Sequence, residues 1–212
     1  MYEKQRAELV GLLKSKGITS EPVLTAIGKV ERHLFVPEAF RRMAYMDTPQ
    51  HIGFGQTISQ PYTVAVMTHA LNPKKGDRIL EIGTGSGYQA AILEEMGARV
   101  ISIERHEELF RTTKKLLDSL GYNSLLFCGD GTLGMSEYAP YDGIIVTAGA
   151  PTVPRILVDQ LAVGGRMVIP VGDKSVQSMT VILKKSETEF LQKEIPNFTF
   201  VPLVGKEGWN QA

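Results

Sequence analysis

Ile79-Leu80-Glu81-Ile82-Gly83-Thr84-Gly85-Ser86-Gly87-Tyr88-Gln89 joins a short apolar strand, an acid near its end, three alternating glycines and the start of a helix. Gly83, Gly85 and Gly87 carry no Cβ, so the chain can turn sharply there and a flat ligand can lie against it. The spacing is not the dinucleotide fingerprint G-x-G-x-x-G, because Tyr88 stands where the third glycine belongs and an extra glycine stands at 87. That disfavours a nicotinamide-dependent oxidoreductase. Glu81 precedes the turn, where it would repel a pyrophosphate. A ligand with positive charge and no phosphate suits the position, and S-adenosylmethionine, with its ammonium and sulfonium, has both properties.

Downstream, the pattern repeats. Tyr88 to Met96 reads as a helix ended by Gly97, and Val100-Ile101-Ser102-Ile103 as a strand closed by Glu104. Glu104 lies 17 residues past Gly87, near the spacing at which an acid on the second strand reaches ribose hydroxyls, although a surface glutamate would read the same way. Carboxylate oxygens accept both hydroxyl protons. Glu107 to Leu120 is helical, and Leu125 to Cys128 is a third strand followed by Gly129-Asp130-Gly131. There Asp130 can accept from an adenine amino group, and Cys128 reads as a small buried hydrophobe. Residues 141–147 form a fourth strand, Pro154 to Leu161 a helix, and 166–171, 179–184 and about 189–200 three more strands. Strands alternating with helices and then following one another predict a Rossmann-like, doubly wound α/β fold. Its seven-stranded sheet is mainly parallel with an antiparallel end. Ligands in such sheets bind at the carboxyl ends of the strands, where Glu81, Glu104 and Asp130 fall.

Upstream, residues 2–16 and about 20–30 read as helices, and Ala39 to Tyr45 as a short one, giving an N-terminal helical cap over residues 1–52. Residues 53–71 read as a substrate loop and helix, 76–172 as the cofactor-binding core and 173–212 as C-terminal strands, all within one domain. In the loop Gly53-Phe54-Gly55-Gln56-Thr57-Ile58-Ser59-Gln60-Pro61-Tyr62, Ser59 suits an N-cap and Pro61 a first helical turn. The amides of that helix start either hold an anion, such as a carboxylate, or are simply capped by Ser59.

The 23 basic and 23 acidic residues cancel, so nothing in the bulk charge advertises nucleic acid as a partner. The single cysteine excludes an internal disulfide framework and fits a reducing compartment. No apolar run is long enough to span a membrane, and the charged start Met1-Tyr2-Glu3-Lys4-Gln5-Arg6 leads into no signal-like segment, so the expectation is a cytoplasmic protein. His33, His51, His69 and His106 show no metal-ligand spacing, and no metal is expected. His51 lies near the expected substrate loop, and Trp209 is expected to pack the C-terminus against the body.

Nearly the whole chain resembles the class I S-adenosylmethionine-dependent methyltransferases, and more narrowly the protein-L-isoaspartate O-methyltransferase family. The resemblance is carried by FVPEAFRRMAY (35–45), GQTISQPY (55–62), LEIGTGSGYQA (80–90), GDG (129–131), PYDGIIVTAGAPTVPR (140–155), LAVGGRMVIPVG (161–172) and FVPLV (200–204). It implies that Ser59 is the active-site serine, with Thr57 and Ile58 also lining the site. It further implies a cofactor segment of Glu81, Gly83, Gly85 and Gly87, Glu104 on the ribose, and Asp130 with Gly131 at the adenine. The implied cofactor is S-adenosyl-L-methionine, with S-adenosyl-L-homocysteine as product. The implied partners are proteins and peptides carrying L-isoaspartyl or D-aspartyl residues, with a monomeric enzyme, no nucleic acid and no membrane. A methyltransferase acting on RNA or a small acid, and a non-catalytic S-adenosylmethionine-binding module, are the competing readings.

Overall fold

The computed structural model describes residues 1–210, so the last two positions of the expected C-terminal segment lie outside the described residues. Helices α1 (Tyr2–Ser15) and α2 (Glu21–Lys29) are followed by two 3-10 segments, Arg32–Phe35 and Glu38–Met43. Strands β1 (Gln50–Gly53) and β2 (Gln56–Ile58) lead into α3 (Pro61–Leu71). Next come β3 (Arg78–Ile82), α4 (Tyr88–Glu95), β4 (Arg99–Glu104), α5 (Glu107–Leu120) and β5 (Leu125–Cys128). Strand β6 (Tyr141–Val146), helix α6 (Arg155–Asp159) and strands β7 (Leu161–Gly172), β8 (Gln177–Lys184) and β9 (Phe190–Phe198) complete the chain.

The seven-stranded sheet has the order β5-β4-β3-β6-β7-β8-β9. β5, β4, β3, β6 and β7 pair in parallel, and β8 and β9 are antiparallel additions. The expected α/β fold, its parallel part and its antiparallel end are all present. The period-two alternation of strands divides the apolar residues into two cores. Ile79, Val100, Ile145 and Val168 pack on one face with Leu9, Leu13, Leu24, Met67 and Ile92 from α1 to α4. Leu80, Ile82, Ile101, Ile103, Ile144 and Met167 pack on the other with Leu157 and Val158 of α6.

From β3 the chain winds outward through β4 and β5, then crosses back to β6 on the opposite side of β3. The strand order reverses at that point, which opens a crevice at the carboxyl ends of β3 and β6. Gly87 sits there at φ +84, and a Cβ on it would meet Thr113 at 2.8 Å and Leu117 at 3.2 Å, so helix α5 packs directly on the turn.

Three local expectations are corrected. Gln50–Ile58 is an antiparallel hairpin, β1 on β2, and not an irregular loop. The helix expected over Pro154 to Leu161 is only Arg155–Asp159, because Leu161 already belongs to β7 and pairs with Tyr141. Cys128 is exposed, not buried, since β5 is an edge strand whose end lies open to solvent.

Candidate active site

The crevice holds a cavity whose walls come from four places: Gln56–Ser59, Ile82–Ser86, Ile103–His106 and Val201–Val204. Tyr88, Gln89, Gly131 and Thr147 line it too, as do Val64 and Met67 of α3 and Ala148. A second cavity lies alongside, between Lys16, Pro49, Gln60, Tyr62 and Thr63 on one side and Ile195–Val201 on the other. Thr57, Ser59, Thr147 and Val201 line both, so the two spaces meet at Ser59.

The glycine turn is fixed by bonds to its own backbone. Gly83 has φ +92, and a Cβ there would sit 2.5 Å from Thr147 Oγ1. The Thr147 hydroxyl donates to the Gly83 carbonyl at 2.6 Å, and the Thr113 hydroxyl donates to the Gly85 carbonyl at 2.6 Å. The Glu104 carboxylate accepts from Gly85 N–H and from His106 N–H, each at 2.9 Å, and is 4% exposed. A carboxylate has about four acceptor positions, so two remain for hydroxyl donors. The cavity wall has an apolar stretch, Ile82, Ile103 and Leu203 with Gly131, and a polar one, Thr84, Ser86, Arg105 and His106. An acid accepting hydroxyls, an apolar slot for a flat ring and glycines where side chains would intrude suit an adenosine carrying no phosphate.

Not every expected cofactor residue faces this space. Thr57, Ile58, Gly83, Gly85, Glu104 and Gly131 line the cavity; Glu81, Gly87 and Asp130 do not. Glu81 is fully buried on the face that Ile79 shares, opposite Ser102 of β4, and its Oε2 accepts from the Ser102 hydroxyl. Ser102 Oγ in turn shares a 2.6 Å hydrogen bond with Thr84 Oγ1, which does reach the cavity. Burial, with the Glu104 charge adding to it, pushes the Glu81 pKa up to about 8 against the opposing bond from Ser102. Asp130 instead ties down the C-terminal segment: Oδ1 accepts from Thr132 N–H at 2.9 Å and Oδ2 from Lys206 N–H at 2.9 Å. Burial works against it, but the bonds from Thr132 and Lys206 hold Asp130 below its ordinary pKa. Trp209 packs as expected, its ring N–H donating to the Gly149 carbonyl at 3.0 Å.

Ser59 does not cap α3. The N-cap is Gln60, without a side-chain bond, and the first-turn amide of Tyr62 donates to Asp47 Oδ1 at 2.8 Å. Asp47 also pairs with Lys16 at 2.6 Å. The Ser59 carbonyl accepts from Arg32 Nη2 at 2.8 Å. Arg32, Asp47, Thr147 and the strap Val201–Val204 are site-forming residues with no local sequence signal, because each works through a partner distant in the chain. Burial pulls the Arg32 pKa below its ordinary value. Among the described residues, no cluster of histidine, cysteine or acidic side chains could hold a metal ion, and no helix is long and apolar enough to cross a membrane.

Fold and crevice are those of a class I S-adenosylmethionine-dependent methyltransferase. Comparison with known proteins narrows the class. The family described as protein-L-isoaspartate(D-aspartate) O-methyltransferase matches residues 4–208, and the chain belongs to that family. The chain is similar to the protein-L-isoaspartate O-methyltransferase of Cytophaga hutchinsonii, with 52% identity over 99% of this chain and 95% of the relative. It is also similar to that of Christiangramia forsetii, with 54% identity over 96% of this chain and 95% of the relative. A solved protein-L-isoaspartate O-methyltransferase superposes with a TM-score of 0.84 at 29% identity, covering 96% of this chain and 67% of that one. A solved structure from Plasmodium falciparum, described as a protein-L-isoaspartate O-methyltransferase in complex with S-adenosyl-L-homocysteine, gives 0.80 at 27% identity over 94% of this chain and 98% of that one. The activity is therefore S-adenosylmethionine-dependent protein-L-isoaspartate(D-aspartate) O-methyl transfer, a protein-repair reaction.

Proposed function

We propose that the two cavities divide the reaction between them, with cofactor beside the glycine turn and the damaged peptide in the neighbouring groove. The observation that carries this reading is that Ser59 lines both spaces. Glu104 receives the ribose hydroxyls, and Gly83, Gly85 and Gly131 leave room for the ligand. Thr57 and Ile58 stand at the junction. Glu81, Gly87 and Asp130 act from outside the wall: Glu81 through Ser102 and Thr84, Gly87 by starting α4, and Asp130 by anchoring the strap.

When bound, S-adenosylmethionine supplies an electrophilic methyl on a sulfonium. The substrate carboxylate is already an anion at neutral pH, so the chain needs no general base. Its task is to orient one carboxylate oxygen toward the methyl and to keep water out. Ser59 donates its hydroxyl to the other oxygen and is not a covalent nucleophile. An isoaspartyl linkage leaves the α-carboxylate free. In its methyl ester the neighbouring backbone nitrogen attacks the ester carbonyl, the C–O bond breaks, methanol leaves with the amide proton and a succinimide closes; hydrolysis of the ring returns some normal aspartate without further enzyme.

The groove suits peptide better than RNA. Its one cation, Lys16, is already paired with Asp47 and lies 5.1 Å from the Tyr62 ring centre. Ile195, Pro196, Phe198 and Phe200 give it an apolar side. Both cavities are lined by residues of this one chain, which supports a monomeric enzyme, and the single free thiol suits a reducing compartment such as the cytoplasm. Within one domain, residues 1–49 serve as cap, the hairpin Gln50–Ile58 with α3 as substrate loop, 76–172 as cofactor core and 173–210 as the closing C-terminal segment.

The test is methyl transfer from labelled S-adenosylmethionine to two synthetic peptides that differ only in isoaspartate against aspartate, with a tRNA control. Base-labile methyl in the isoaspartyl peptide alone is the expected result. No transfer to it, with S-adenosyl-L-homocysteine binding intact, would overturn the assignment of the groove.

A further inference from the structure

Arg32 is wholly buried, yet it donates to backbone carbonyls and not to a carboxylate. Its Nε donates to the Ala44 carbonyl at 2.8 Å and its Nη2 to the Ser59 carbonyl at 2.8 Å. The guanidinium carbon lies 4.7 Å from the centre of the Tyr88 ring, and Nη1 has no partner. Asp47, the acid whose charge it feels, is engaged by Lys16 and by Tyr62 N–H. A buried cation without a carboxylate is costly, and an apolar side chain would fill the same space at less cost. The charge is therefore retained for what it holds.

What it holds is the peptide after Ser59. That peptide is planar, so fixing its carbonyl fixes the orientation of the Ser59 backbone, and with it the direction in which the side chain leaves. Arg32 is suited to this because its donors diverge in a rigid plane: one reaches the end of the 3-10 segment and another the substrate loop. The guanidinium lies over the ring of Tyr88, a wall residue of the cofactor cavity, so the three parts of the site share one anchor.

We propose that Arg32 is a positioning residue for methyl transfer: it orients the Ser59 peptide so that the Ser59 hydroxyl meets the substrate carboxylate, while touching neither substrate nor cofactor. This rests on the assignment of Ser59 to the carboxylate.

The test is a double-mutant cycle of Arg32→Lys with Ser59→Ala on the full chain, read at a temperature where circular dichroism shows every variant folded. Arg32→Gln, which keeps a neutral donor, replaces the lysine variant if that variant does not fold. Arg32→Lys is expected to lower kcat by about tenfold or more, as a misplaced catalytic group does, with KM for the isoaspartyl peptide and Kd for S-adenosyl-L-homocysteine within about twofold. In the Ser59→Ala background the same change is expected to lower kcat by less than about threefold, because there is no hydroxyl left to misplace. Ser59→Ala with unchanged kcat would overturn the Ser59 assignment and the inference with it. Ser59→Ala with lowered kcat, and an Arg32 effect that multiplies in full, would overturn the inference alone. A fall in Tm with kcat unchanged in Arg32→Lys would also overturn it, leaving Arg32 a structural residue.

Discussion

The wall from Ile82 to Ser86 and the wall from Thr57 to Thr63 meet at the same point, but they are held by different kinds of contact. The first is set by consecutive residues at a strand end, by positive φ at Gly83, Gly85 and Gly87, and by hydroxyls of Thr113 and Thr147 on its carbonyls. The second is held from far upstream: Arg32 on Ser59, Asp47 on Tyr62 and Lys16 on Asp47. One wall is closed by residues that follow the turn in the chain, Thr113 on α5 and Thr147 just after β6. The other is held by residues of the N-terminal cap. Damage to the two should therefore be separable in solution, one reporting in cofactor affinity and the other in peptide KM and turnover.

The largest expected effect is on the glycine-turn wall. Gly83→Ala puts a Cβ 2.5 Å from Thr147 Oγ1 at a φ of +92 and is expected to weaken S-adenosyl-L-homocysteine binding by about 100-fold or more, measured by calorimetry. Glu104→Gln keeps the shape but loses the charged acceptor of Gly85 and His106 N–H. It is expected to cost about 1.5–3 kcal/mol of cofactor affinity, with the peptide KM little changed. Asp47→Ala removes the acceptor at the start of α3 and is expected to lower stability by about 1 kcal/mol and the Tm by about 2–4 °C. In that variant KM for the isoaspartyl peptide should rise while cofactor affinity holds; the reverse pattern would erase the distinction between the walls.

The last effect concerns pH and is read in stability, not at either wall. Glu81 has its folded pKa raised from 4.5 to about 8, so between those values the folded protein binds more protons than the unfolded chain. Its contribution to stability is therefore lost as pH rises through that window. Glu81→Gln is expected to flatten the urea stability profile between pH 5 and 8, and an unchanged slope would contradict a protonated Glu81 in the folded state.

The contrast between the walls also marks what could be read from the chain. The parallel sheet was legible because apolar strands, glycine ends and helices alternate from residue 78 onward, and the crevice follows from the order in which they wind. Glu104 was legible because it ends a strand just after the glycine turn. Glu81 does not line the cavity, because period two puts it on the face of Ile79, toward Ser102. The hairpin Gln50–Ile58 gave no strand signal, being two very short strands without apolar alternation, joined by Phe54 at φ +53. Ser59 suggested a cap by its place before Pro61, but the acid that serves the helix is Asp47, 15 residues from Tyr62. Arg32 stands in Val30-Glu31-Arg32-His33-Leu34-Phe35 with nothing to mark it as buried. Residues that act across chain distance leave no spacing to recognise.

The most direct test of the division between the walls is Ser59→Ala, measured in two assays on one preparation. These are Kd for S-adenosyl-L-homocysteine and single-turnover methyl transfer to an isoaspartyl peptide. The account predicts a Kd within about twofold of the parent and transfer slowed by about 100-fold, the size of effect that follows loss of an orienting donor at a reacting oxygen. Equal losses in both assays, or full transfer without the hydroxyl, would contradict it.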